Sequence, residues 1–180
     1  MIIAADKEVG ELKRGLHFKL VLIMLLLIAS LMTVVGVFLV RGVKQYYLNQ
    51  FYSQMSSAFS DPDFADALTT AASEEKGETL IDEILLAYAG SLGINSSSRY
   101  YYVLDKNTAG VLAPSTAIDT RLEITPNMIT AMTGEPGDNG DIGAAYMDVA
   151  MPIGDKEHSY IIYIKDNKHT VQELNNELFQ

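Results

Sequence analysis

Residues 20–40 read LVLIMLLLIASLMTVVGVFLV, and this run from Leu20 to Val40 decides how the rest of the chain is understood. It is 21 residues long and carries no charge. At 1.5 Å per residue a helix of that length spans roughly 31 Å, the thickness of a bilayer's hydrocarbon core. Fifteen of its residues are Leu, Ile, Val or Phe. At about −0.3 to −0.6 kcal/mol each, their insertion into lipid gains on the order of 7 kcal/mol. A core helix of a globular domain keeps a polar face over such a length. A cleaved signal has a shorter apolar run and ends in small residues. The segment Phe38-Leu39-Val40-Arg41 offers no such end. The run therefore predicts an uncleaved transmembrane helix over 20–40, with the lipid bilayer as its partner.

The flanks give an orientation. Lys13, Arg14 and Lys19 crowd the short N-terminal side, and Arg41 and Lys44 follow the span. The positive-inside rule places residues 1–19 in the cytoplasm. Charge divides the same way. Residues 1–44 hold six Lys and Arg against three Asp and Glu, and residues 45–180 hold seven against twenty. An outer part so acidic repels nucleic acid and anionic lipid, which excludes both as partners. There is no cysteine, so no disulfide staples it, but 136 residues suffice to bury a core.

Beyond the span, Val43, Tyr47, Phe51, Met55 and Phe59 recur every fourth residue, and no Gly or Pro interrupts Val43 to Ser60. This predicts a stalk helix over 41–60. Its apolar stripe must pack on its own domain, on a second copy, or on both, and Val43, Tyr47, Phe51 and Met55 are the expected homodimer contacts. Asp61-Pro62 is a cap followed by a first-turn proline, opening a helix with Phe64, Ala67, Leu68 and Ala71 on one face. A further helix is expected from Thr79 to Leu92, closed by Gly93 in the left-handed conformation with Ile94 folding back. The pattern then turns to strands at Tyr100–Leu104 and Val111–Ala113, a helix from Thr125 to Met132 with Ile129 inward, and strands at Ala144–Ile153 and Tyr160–Ile164. Thr170 and Glu173 form a capping box for a last helix. Hairpins between helices make an α+β domain built on an antiparallel sheet.

Catalytic and metal chemistry find little footing. His158 and His169 have no second ligand at zinc spacing. Asp138-Asn139-Gly140-Asp141 resembles part of a calcium loop, but position twelve would be Val149. The serines at 96–98 have no partnered base. No catalytic residue, metal ligand or cofactor is expected. In Tyr100-Tyr101-Tyr102, alternation puts Tyr102 and Leu104 on one face and Tyr101 and Val103 on the other. These rings suit a core, and can also stack a ligand. Tyr146 and Asp148 share a face, and a carboxylate inside an apolar strand is either a surface or hairpin partner or a ligand contact.

The run Tyr102-Val103-Leu104-Asp105-Lys106-Asn107-Thr108-Ala109-Gly110-Val111-Leu112-Ala113-Pro114-Ser115 resembles the first hairpin of extracytoplasmic PAS-like, or Cache, sensor domains. The stretch Ala145-Tyr146-Met147-Asp148-Val149-Ala150-Met151-Pro152-Ile153 is similar to their third strand, and Tyr160 to Lys165 to the next. The whole layout resembles the input half of Gram-positive bacterial transmembrane sensor histidine kinases. The resemblance implies a cytoplasmic start at 1–19, a membrane helix at 20–40, a stalk at 41–60, a sensor domain at 61–165 and a helix at 166–180 leading toward a second span. It implies a signal-transduction input of a two-component system in a bacterial plasma membrane, with residues 45–180 outside. A small-molecule pocket would then use Tyr102, Tyr146 and Asp148, with Asp148 meeting a cation or amine. The family continues into a second membrane helix and a kinase core, and neither a phosphoacceptor-His helix nor a glycine-rich ATP lid occurs in these residues. Kinase activity is not expected of them. A membrane-tethered regulatory protein without its own output domain is the alternative expectation.

Overall fold

The structure is a computed structural model that describes residues 2–94, 98–114, 122–155 and 159–167, with side chains from His17 onward. Most of the helix expected at 166–180 falls outside them, as do His158 and His169. The chain divides into two compact units, Met1–Val43 and Lys44–Gln180.

The first unit is helical throughout its described length, within the helix α1 (Ile2–Phe59). Its large apolar side chains from Phe18 to Leu39 are exposed on every side, Phe38 to 74%. The two hydroxyls in the run turn back onto the helix: Ser30 Oγ donates to the Leu27 carbonyl at 3.1 Å, and Thr33 Oγ1 to that of Ala29 at 2.8 Å. Neither presents an unsatisfied polar group to an apolar surrounding. Among the described residues this is the one helix long and apolar enough to cross a membrane.

The second unit is a four-stranded antiparallel sheet with helices on both faces. The strands are β1 (Arg99–Asp105), β2 (Val111–Ala113), β3 (Met147–Gly154) and β4 (Ser159–Asp166), in the spatial order β2-β1-β4-β3. The two hairpins meet through β1 and β4, paired from Arg99↔Asp166 to Asp105↔Tyr160. Alternation then sorts the side chains. Val103, Val149, Ile162 and Ile164 face one core, with Phe64, Leu68, Ile81, Leu85 and Leu92 from the helices. Tyr102, Leu104, Ala150, Ile161 and Tyr163 face a second core, with Met128 and Ala131. Burial on both faces explains why β1 and β4 read as continuous apolar runs rather than alternating ones.

The first core is covered by the last turns of α1, by α2 (Pro62–Ala72), by α3 (Gly77–Ala87) and by the single turn α4 (Ala89–Leu92). Asp61 caps α2 as its sequence suggests, its carboxylate accepting from the Asp63 and Phe64 amides with Pro62 in the first turn. Gly93 closes α4 at φ +66°, and the Ile94 amide donates back to the Ala89 carbonyl at 3.0 Å. The helix expected to run unbroken to Leu92 instead breaks at Tyr88, whose ring packs on Phe64 with centroids 4.6 Å apart.

The stalk stripe needs correction. Phe51 and Met55 are each only 2% exposed and lie in the core of their own sheet domain. They are not open to a second copy. Tyr47 is half-buried and Val43 is exposed. A four-residue apolar period marks a buried face but not the partner that buries it.

The second core is closed by α5 (Pro126–Met132), capped by Thr125, whose hydroxyl accepts from the Met128 amide. Met128 and Ala131 point inward, while Ile129 is 56% exposed, the reverse of the expectation. In a helix of seven residues, position by position orientation follows where the cap docks, and Thr125 docks on β3. Strand β3 starts at Met147 rather than Ala144. Outside it, Gly137 pairs with Ala150 through two backbone hydrogen bonds of 2.8 Å.

Gly137 has no room for a side chain: an added Cβ would meet the Asn127 carbonyl oxygen at 2.1 Å. Gly90 has open space at the same distance scale. Gly137→Ala is expected to lower stability by about 1–3 kcal/mol through forced backbone displacement. Gly90→Ala is expected to be neutral or to stabilise by up to about 1 kcal/mol. Urea unfolding of both variants checks the contrast.

Candidate functional site

The site is built on the sheet face that α5 covers. Asp148 is 5% exposed, so it is not the surface residue that an isolated carboxylate in a strand suggests. Its charge is held by neutral donors. Thr125 Oγ1 donates to Oδ2 at 2.6 Å, and Asn127 Nδ2 donates to Oδ1 at 2.8 Å. A buried carboxylate is tolerable only when its oxygens are hydrogen-bonded, and these two bonds supply that while fixing the start of α5 on β3.

Asn127 extends the network. Its Nδ2 also donates to the Asp148 carbonyl at 3.0 Å and the Asn139 carbonyl at 3.1 Å, and its Oδ1 accepts from the Asn139 amide at 3.0 Å. The loop after α5 is thereby tied to the same point. Tyr52 reaches it from α1, donating to the Asp148 carbonyl at 3.0 Å and more loosely to that of Asn139 at 3.3 Å. Gly140 lets the loop lie against the Tyr52 ring, where an added Cβ would come within 2.6 Å.

The three residues expected to line a pocket are all on this face, and Tyr163 links them. The Tyr102 and Tyr163 rings are cross-strand partners with centroids 6.2 Å apart. The Tyr163 phenol lies close enough to Asp148 to feel its charge. Tyr146 is half-buried near Asp148, and the Lys165 ammonium sits over its ring, 4.6 Å from the centroid. Sequence reasoning missed Tyr163, Thr125, Asn127 and Lys165. Strand alternation from Tyr160 could have offered Tyr163 and Lys165, but Thr125 and Asn127 reach Asp148 only because α5 folds over the sheet.

Chemically the site is a buried negative charge ringed by phenols. A carboxylate has about four lone-pair positions, and Asp148 retains capacity for a further donor. Burial, and secondly the charge of Asp148, raise the Tyr163 and Tyr146 hydroxyls above the usual phenol range. The same two causes push Tyr52 up to about 12. All three therefore remain hydrogen-bond donors at any physiological pH. Among the described residues no group of three or more His, Asp or Glu converges to hold a metal.

A second polar cluster sits where four elements meet. Arg99, at the start of β1, donates through Nε to Asp166 Oδ2 at the end of β4, 3.1 Å away, with both side chains about 10% exposed. Its Nη1 donates to Gln54 Oε1 on α1 at 2.8 Å and to the Leu92 carbonyl at 2.6 Å. Its guanidinium also lies 5.0 Å from the centroid of Phe51. The planar fork of arginine suits such many-sided contact. Gly93 leaves it space, since an added Cβ would sit 2.3 Å from Nη1.

Asp148→Ala leaves the Thr125 hydroxyl without its carboxylate acceptor and removes one of the three acceptors of Asn127 Nδ2, and is expected to cost about 1–3 kcal/mol in urea unfolding. Asp148→Asn keeps one acceptor and is expected to cost roughly half as much. A cost near zero for Asp148→Ala would mean that the carboxylate is not what holds α5. Alkaline stability gives an independent check. An unfolded phenol ionises near pH 10. With Tyr52 raised to about 12 in the folded state, its contribution is complete below pH 10 and is lost as pH climbs toward 12. Tyr52→Phe is expected to flatten the fall in stability over that window, measured by urea midpoints at stepped pH.

Comparison with protein-family models, with curated proteins and with solved structures finds no match to this chain.

Proposed function

We propose that this chain is the membrane-anchored, extracytoplasmic input module of a two-component-type sensor, with a sensor domain of PAS-like or Cache type. Residues 1–19 would lie in the cytoplasm of a bacterium and residues 45–180 outside its plasma membrane. The observation that carries the reading is the double duty of α1. One helix contains the apolar run at 20–40 and also supplies Leu48, Phe51 and Met55 to the core of the sheet domain. Its Tyr52 is bonded to the backbone at Asp148 and its Gln54 to Arg99. An antiparallel sheet with helices on both faces suits the PAS-like reading.

The mechanism follows from those bonds. A small cation or amine drawn to Asp148 would compete for its oxygens with Thr125 and Asn127. Any displacement of β3 there is felt at Tyr52, and so in α1. Shifts of packed helices by about 1–2 Å are a standard output of such domains. The ligand could bias the two arrangements only by its differential affinity for them. Self-association in a homodimer would use the exposed side of α1, with Tyr46 and Asn49 outward, because Phe51 and Met55 are taken by the domain's own core.

The chain has no native cysteine, so single-cysteine reporters are unambiguous. In intact cells, a membrane-impermeant maleimide is expected to label Ser73→Cys, and to label Lys7→Cys only after lysis. The opposite pattern, or recovery of the full chain in the soluble fraction, overturns the topology. The sensing arm uses the detergent-solubilised chain against a panel of amines and amino acids. A specific ligand at 100 times its Kd contributes about 2.7 kcal/mol, a rise of several degrees in Tm. That rise should vanish in Asp148→Asn. A ligand that stabilises both proteins equally removes Asp148 from the role.

A further inference from the structure

The helical pair on the other face of the sheet carries a feature that the sensing site does not use. Helices α2 and α3 leave between them an open groove of about 600 Å³. Its floor is apolar and mostly small: Ala67, Ala71, Leu80, Ile84 and Ala87. Its banks are acidic, with Asp66 from α2, Glu74 from the turn just after it and Glu83 from α3. No basic residue lines it. Among the described residues, none of these three carboxylates forms an ion pair. The surrounding segment repeats the bias, since residues 61–87 hold eight Asp and Glu against the single Lys76.

We infer that this groove is a docking surface for a cationic amphipathic helix, one that lays apolar side chains on the alanine floor and sets Lys or Arg against the two acidic banks. The dimensions fit. Each wall is a helix of 11 residues, roughly 16 Å long, which matches about three turns of an incoming helix. Small residues on the floor let a helix approach closely, as ridges pack into grooves. Charge selects the occupant. The sheet domain of a second copy is itself strongly acidic and would be repelled from these acidic banks. Anionic lipid and nucleic acid are repelled for the same reason. A helix with basic flanks gains on both banks, and the apolar floor rewards it beyond what a simple polycation would gain. The inference is independent of the reading of Asp148, which lies on the opposite face of the sheet.

The test uses the full chain in nanodiscs of zwitterionic lipid, with empty nanodiscs subtracted. The probes are two fluorescent 14-residue peptides of one amphipathic pattern, one of Leu and Lys and the other of Leu and Glu. Fluorescence anisotropy is expected to show binding of the Leu/Lys peptide alone. Asp66→Lys with Glu83→Lys should weaken it about tenfold or more, as attraction at each bank becomes repulsion. Glu135→Lys with Asp138→Lys makes the same change in net charge at exposed positions elsewhere, and should weaken it less than about threefold. Ala87→Trp fills the groove without changing charge and should also weaken binding at least about fivefold. All the replaced side chains are exposed, and unchanged Tm values confirm that the variants fold. No binding by the parent, equal loss in the control pair, or full binding by Ala87→Trp overturns the inference.

Discussion

The second unit depends on the burial of one side of α1 against a sheet. Phe51 and Met55 are almost fully enclosed in the first core, and they come from the same helix as the apolar run. An exposed amphipathic helix would leave this stripe in water at a cost of several kcal/mol. Burial in the first core removes that cost, and it also fixes which side of the helix faces outward. Arg99 reinforces the arrangement. It lies over Phe51, bonds Gln54, and pairs with Asp166, so the start of one central strand and the end of the other are pinned to the helix at a single residue.

The two faces of the sheet serve different ends. The face toward α2 and α3 is dominated by aliphatic side chains, and its polar contacts lie at the margin, where Tyr101 donates to Asp82 at 2.8 Å. The face toward α5 buries a charge. Replacing a buried polar network by apolar residues often costs a fold nothing, so retention of one is a reason to look for function there. Tyr52 crosses between these regions. It sits on the helix of the first core and bonds the strand and loop that organise the second.

Much of this was legible in residue chemistry alone. Asp61-Pro62, Thr125-Pro126 and Gly93 are signals whose meaning depends on two or three neighbouring atoms, and each acts as its local chemistry requires. The hairpin at Asp105–Gly110 and the sorting of Tyr102 from Val103 follow from turn geometry and strand alternation. What escaped was set by distant contacts. The burial of Asp148 depends on where a seven-residue helix docks, and the inward side of that helix follows from the same docking rather than from its own pattern. The occupant of the Phe51 and Met55 stripe was undetermined for the same reason. An amphipathic period says that something covers a face, and only the assembled sheet says what.

The backbone bridge between Gly137 and Ala150 has a further consequence. In the order β2-β1-β4-β3, the open margins of the sheet are β2 and β3. Strand β2 is only three residues long. Strand β3 is longer, but its outward hydrogen-bonding groups at Ala150 are already engaged by Gly137, and Pro152 offers no amide at all. Unsatisfied strand margins are templates for fibril growth and for accidental pairing with other chains. Here a side-chain-free residue in a loop seals the longer margin, so the domain can remain a discrete particle even when many copies are crowded together.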